Sequence, residues 1–80
     1  MKRVTINRLS ELGSEMRKLR KSKKLGILEA EGVTDVSMAT ISLMENGKQF
    51  PRIYTLVSYA KALGVDEILI KIPRDDEDLK

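Results

Sequence analysis

Apolar positions recur along the chain at two periods, and the changes between them divide it into elements. Residues 3–7, Arg-Val-Thr-Ile-Asn, alternate polar and apolar and carry β-branched side chains, which predicts a short strand. Leu12, Met16 and Leu19 then fall at helical spacing. Ser10 before Glu11 offers an N-cap with an acid in the first turn, so residues 11–23 read as an amphipathic helix with Arg and Lys outward. Gly26 ends or follows it. Ile27, Ala30 and Val33 outline the inner stripe of a short helix over 27–34, weakened by Gly32, since glycine costs about 1 kcal/mol relative to alanine inside a helix. Ser37 caps a third helix running through Asn46, with Ile41 and Met44 inward and Gly47 as its left-handed stop. Pro51 sets the first turn of a fourth, whose stripe is Ile53, Leu56, Val57, Ala60 and Leu63 and whose C-cap is Gly64. Beyond it the period drops to two. Ile68, Ile70 and Ile72 alternate with Leu69 and Lys71 before Pro73, a strand pattern, with a fifth short helix over 66–70 as the alternative.

These elements make one mainly α domain of four to five helices. Its expected divisions are an arm over 1–10, a helical domain over 11–65, a terminal strand or short helix over 66–73, and an acidic, disordered tail over 74–80. Charge is unevenly spread along them. Residues 1–26 hold nine Lys/Arg against Glu11 and Glu15; residues 27–47 hold only acids, Glu29, Glu31, Asp35 and Glu45. The basic block suits a polyanionic partner, because each phosphate it neutralises releases counterions. With no cysteine and no histidine the chain has no disulfide, lacks the usual zinc ligands and cannot use imidazole for acid–base work. No metal or other cofactor is expected. No carboxylate pair, nucleophile–base set or phosphate-cradling glycine loop appears, so an enzyme with a small-molecule substrate is not expected. Phe50, Tyr54 and Tyr59 are the only rings, too few for a platform that stacks single-stranded bases. The longest apolar run, Ile68-Leu69-Ile70, falls far short of the roughly 20 residues of a membrane span, and no apolar stretch follows Met1-Lys2-Arg3 as in a signal peptide. A cytoplasmic protein is expected.

Leu12-Gly13…Leu19-Arg20, Ser37…Thr40-Ile41-Ser42…Glu45-Asn46-Gly47-Lys48…Pro51 and Ala60-Lys61-Ala62-Leu63-Gly64-Val65 follow one another in the order and spacing of a known family. From Leu12 to Val65 the chain resembles the Cro/repressor-type (phage-repressor-like) helix-turn-helix DNA-binding domain. The resemblance implies a repressor-like fold with Ile41, Leu56 and Leu63 in its core, and a structural pair between Arg20 and Glu45. It implies a sequence-specific transcriptional regulator that binds double-stranded operator DNA as a homodimer, with the third helix in the major groove. By position, Met38, Ala39, Ser42 and Leu43 would face base edges, and Ser37, Thr40, Asn46 and Lys48 would lie near phosphates.

The chain departs from the family's pattern in two places. Gln, Arg or Lys commonly stand where this chain has Met38, Ala39 and Leu43, which can touch thymine methyls but cannot form bidentate bonds to bases. The usual Gln-x-x-Leu-Ala at the start of the second helix is replaced by Ile27-Leu28-Glu29-Ala30-Glu31. A second reading is therefore a protein-interaction module with a degenerate DNA-reading helix, docking through Met38, Ala39, Leu43 and Met44. A basic helix-turn-helix domain with a terminal strand also resembles the antitoxins that autoregulate their operons and neutralise a toxin protein. A lone strand is an unpaired edge, so Ile68, Ile70 and Ile72 are the expected dimer interface, pairing with a second copy and adding Val4–Ile6.

Overall fold

The structure, a computed structural model, describes residues 2–71. In chain order they form β1 (Arg3–Ile6), a single 3-10 turn (Leu9–Glu11), α1 (Leu12–Ser22), α2 (Ile27–Thr34), α3 (Met38–Glu45), α4 (Ile53–Ala62) and β2 (Glu67–Ile70). The architecture is mainly α, with four helices and a two-stranded sheet. Ile72 and the expected acidic tail lie outside the described residues.

The sheet differs from expectation in its partner. β2 is a strand and not a fifth helix, but it does not stand alone. It pairs in parallel with β1 of the same chain, Arg3 opposite Glu67 and Ile6 opposite Ile70. Parallel strands need a long crossover, and here all four helices supply it. The Asp66 N–H donates to the Lys2 carbonyl at 2.8 Å, the Lys71 N–H to that of Ile6 at 3.0 Å, and Arg3 meets the Glu67 carboxylate at 2.8 Å. Val4 and Ile6 alternate inward and are buried, as the period-two pattern requires, while Ile68 and Ile70 are half-buried against the same core.

Helix ends follow local chemistry, with two corrections. Ser10 is not a cap: it lies inside the 3-10 turn, through which the chain enters α1. Gly26 follows α1, the second of the two expected arrangements, in the extended position before α2. α1 itself turns off at Lys24, a lysine with φ 60°, while the N–H groups of Lys24 and Leu25 return to the carbonyls of Lys21 and Arg20. The same paired return closes α3 at Gly47 (φ 69°) and α4 at Gly64 (φ 88°), where glycine carries no Cβ penalty. Pro51 is buried but precedes the N-terminal cap Arg52 and so lies just outside α4, whose first residue is Ile53.

The core is built around Ile6, Met16, Ile41, Leu56 and Tyr59, all fully buried. Two expected stripes are displaced from it. On α2 the inward residues are Ile27, Ala30 and Thr34, whereas Val33 is 53% exposed. Thr34 is accommodated because its hydroxyl donates to the Ala30 carbonyl at 2.7 Å and accepts from the Val36 N–H at 3.2 Å. On α4 the buried residues are Leu56, Tyr59, Ala60 and, just past the helix, Leu63. Ile53 and Val57 are 66% and 52% exposed, turned to the flank beside β2.

Candidate nucleic-acid interface

α3 packs against both α1 and α2, so one face is held and the opposite face is presented. The held face is Ile41, Met44 and Glu45. Met44 is therefore core and unavailable to any docking patch. Met38, Ala39, Ser42 and Leu43, spaced at one and four, share the outward side; Met38 and Leu43 are each 41% exposed and Ser42 is half-buried.

Two devices fix the orientation of that outward face. The first is a close approach between α1 and α3 at Gly13, where a Cβ would stand 2.5 Å from the Met44 carbonyl oxygen and 2.8 Å from that of Glu45. The second is a buried ion pair. Arg20 donates from Nε to Glu45 Oε2 at 2.8 Å and from Nη2 to Oε1 at 2.9 Å, a bidentate fork, while Nη1 reaches the Leu25 carbonyl at 2.7 Å. One guanidinium thus ties the α1–α2 connection to the end of α3. Tyr59 completes the group from α4, its hydroxyl donating to Glu45 Oε2 at 3.4 Å. The hydrogen bond to Glu45 raises the Arg20 pKa above its ordinary value. Burial, followed by the Glu45 charge, raises that of Tyr59, so the phenol stays protonated.

The N-terminus of α3 is capped twice. The Ser37 hydroxyl accepts from the Thr40 N–H at 3.2 Å and donates to Thr40 Oγ1 at 2.9 Å. The Met38 N–H, one of the donors left over at a helix start, goes to Glu31 Oε2 of α2 at 3.1 Å. At the other end, Asn46 Nδ2 donates to Ser42 Oγ at 3.2 Å, which leaves the Ser42 hydroxyl proton free to point outward. Asn46 and Lys48 are exposed.

The four acids of residues 27–47 occupy different surroundings. Glu45 is neutralised by Arg20, Glu31 sits on the α3 terminus, Glu29 lies over Gly26, and Asp35 is exposed at the left-handed end of α2. The α1 cations divide as well. Lys18 pairs with Glu15 at 3.3 Å and lies beside β1. Helical spacing puts Arg17, four residues on from Gly13, next to the Gly13–Arg20 side that meets α3, with Lys21 between it and Lys18.

α4 adds Tyr54, Thr55 and Ser58, which the sequence pattern did not single out. Thr40, Gln49, Arg52 and Thr55 line a cleft along α3, and Ser37, Thr40, Tyr54, Thr55 and Ser58 line another at its N-terminus. Tyr54 is 79% exposed there. Placing Ile53 and Val57 in the core turned this hydroxyl-bearing flank away from α3; reading Leu56 with Tyr59 as the inward pair would have found it. Among the described residues no cluster of metal-ligating side chains occurs, and no helix is long and apolar enough to cross a membrane.

Residues 11–71 match a family described as "Helix-turn-helix domain". The chain is 34% identical over 65 residues, 81% of its length, to an uncharacterized HTH-type transcriptional regulator, y4dJ, of Sinorhizobium fredii (strain NBRC 101917 / NGR234), covering 84% of that protein. No solved structure matches it significantly.

Proposed function

This chain belongs to the helix-turn-helix domain family, and on that premise we propose that it is a DNA-binding transcriptional regulator acting on operator DNA as a dimer. α3 enters the major groove with Met38, Ala39, Ser42 and Leu43 toward base edges, while Ser37, Thr40, Asn46 and Lys48 contact phosphates. The observation that supports this reading best is the outward face of α3, held by the Gly13 contact and the Arg20–Glu45 fork, with exposed Lys48 just past its end and Arg52 in the cleft beside it. Ser42 alone of the four base-facing residues has a hydrogen-bonding side chain. Recognition therefore leans on thymine methyls and on DNA shape.

Selection from a random duplex library at several salt concentrations tests the reading. A two-fold site with half-sites about one helical turn apart, bound with a steep negative salt slope, is the expected result. Absence of binding even at low salt overturns it. That outcome would favour the second reading, in which exposed Met38, Ala39 and Leu43 dock a protein partner, such as the toxin of an autoregulated operon.

A further inference from the structure

β2 has two edges and one partner. Its Glu67 and Lys71 N–H groups point to β1, where they meet the carbonyls of Lys2 and Ile6. Backbone groups alternate along a strand, so those of Ile68 and Ile70 point to the opposite edge, which no strand among the described residues covers. Beside that edge runs an apolar groove of about 330 Å³ between β2 and α4, walled by Ile53, Val57, Ile68 and Ile70. Isolated two-stranded sheets are marginal in water, and an open apolar edge is an association site.

We propose that the occupant is a second copy of this chain, joined β2 to β2 in antiparallel register about Leu69, so that β1-β2-β2-β1 forms one four-stranded sheet. The sequence Glu67-Ile68-Leu69-Ile70-Lys71 is self-complementary in that register. Ile68 lies opposite Ile70 of the second copy, and both present outward N–H and C=O groups, so each such pair exchanges two hydrogen bonds. The two-fold axis makes two such pairs. Leu69 faces its own copy across the closer, non-hydrogen-bonded spacing. Glu67 lies opposite Lys71 at both ends, opposite charges at cross-strand distance. Centring on Ile68 would set Asp66 and Glu67 against Ile70 and Leu69, and centring on Ile70 would set Lys71 against Leu69. Charge thus selects Leu69. On the inward face, Ile68 and Ile70 of the second copy extend the apolar row over Ile53 and Val57, filling the groove. This interface rests on, and specifies, the dimer of the proposed regulator. It corrects the earlier expectation in one respect: β1 pairs inside its own subunit and forms the outer strand.

Sedimentation of the wild-type chain and of two charge variants tests the register. The wild type should be dimeric. Glu67→Lys places lysine opposite lysine and Lys71→Glu places glutamate opposite glutamate. Each alone should weaken the dimer by roughly tenfold or more, since two attractive pairs become repulsive. Mixed in equal amounts, the two variants should form a heterodimer, because both pairs of positions 67 and 71 across the interface are then opposite in charge, while the loss of the Arg3–Glu67 contact inside one subunit is common to its homodimer and the heterodimer. Circular dichroism checks that each variant is folded. Wild-type chain that stays monomeric at millimolar concentration overturns the proposal. So does a mixture of folded variants that associates no better than either alone. A dimer that follows these charge rules but binds no duplex would sink the DNA-binding reading and leave the interface standing.

Discussion

Gly13 of α1 lies so close to the Met44 carbonyl of α3 that a methyl group in place of its α-hydrogen would stand 2.5 Å from that oxygen. The neighbour is backbone, which cannot swing aside as a flexible side chain can. Gly13→Ala therefore has to push the two helices apart and should cost about 1–3 kcal/mol or more, read as a lower denaturant midpoint with an unchanged slope. A variant as stable as the parent would mean that α1 and α3 do not approach this closely.

The Arg20–Glu45 fork behaves differently when one partner is removed than when both are. Glu45→Gln leaves a buried guanidinium without a counter-charge, and a loss of about 3–5 kcal/mol is expected. Replacing both residues by methionine should cost much less than the sum of the single losses, because no buried charge remains. Thermal melts of the wild type, Arg20→Met, Glu45→Met and the double variant decide the matter; additive losses would show that the two side chains act independently.

Tyr59 links stability to alkaline pH. Its folded-state pKa is raised, first by burial and then by the Glu45 charge, so the native state holds a proton that the unfolded chain releases. The contribution is complete below the ordinary tyrosine value of 10.0 and declines as pH climbs above it. The slope can reach about 1.4 kcal/mol per pH unit for one proton. Tyr59→Phe should flatten that part of the curve. Equal slopes in the two proteins above pH 10 would place the phenol in water.

Glu31 carries opposite consequences for folding and for DNA. Its carboxylate caps the α3 N-terminus, where a negative charge is favourable by about 0.3–1 kcal/mol, yet it stands at the end of α3 that the proposed complex brings toward phosphate. Glu31→Gln should lower thermal stability slightly and raise DNA affinity by about two- to fivefold at low salt. Affinity that falls in step with stability would locate Glu31 away from the DNA.

Ala39 tests which helix reads sequence. Ala39→Arg supplies a bidentate donor to guanine and should shift the preferred base at one position of each half-site, a discrimination of about 1–3 kcal/mol. A uniform rise in affinity for all duplexes would assign Ala39 to the backbone side.

The elements that were legible in the sequence are those decided within a few residues. Ser37 caps α3, and Gly47 and Gly64 take left-handed turns, because hydroxyl capping and positive φ depend on local chemistry. Spacing alone could not choose between neighbouring flanks of a helix. Ile53 and Val57 stand at three and four from core positions just as Tyr59 does, and Tyr59 goes inside because its hydroxyl finds Glu45 there. The same limit moved Val33 outward and Thr34 inward. The strand character of both chain ends was readable, but not that they pair with each other, since parallel pairing joins residues 64 positions apart (Arg3 with Glu67) and leaves no local mark. For the candidate interface, the outward side of α3 followed from its period, whereas the Glu31 cap and the hydroxyl flank of α4 depend on how whole helices sit together.

The parallel β1–β2 pairing also imposes a timetable. A ribosome releases β1 first and β2 only after every helix has been made, at roughly 5–20 residues per second, so β1 spends seconds with its hydrogen-bonding groups turned to water. The helices can collapse in microseconds to milliseconds, but Val4 and Ile6 have no strand to lie against until synthesis has passed residue 70. The nascent molecule is thus a helical cluster with a waiting arm, and it closes by joining that arm to a strand made only after the last helix.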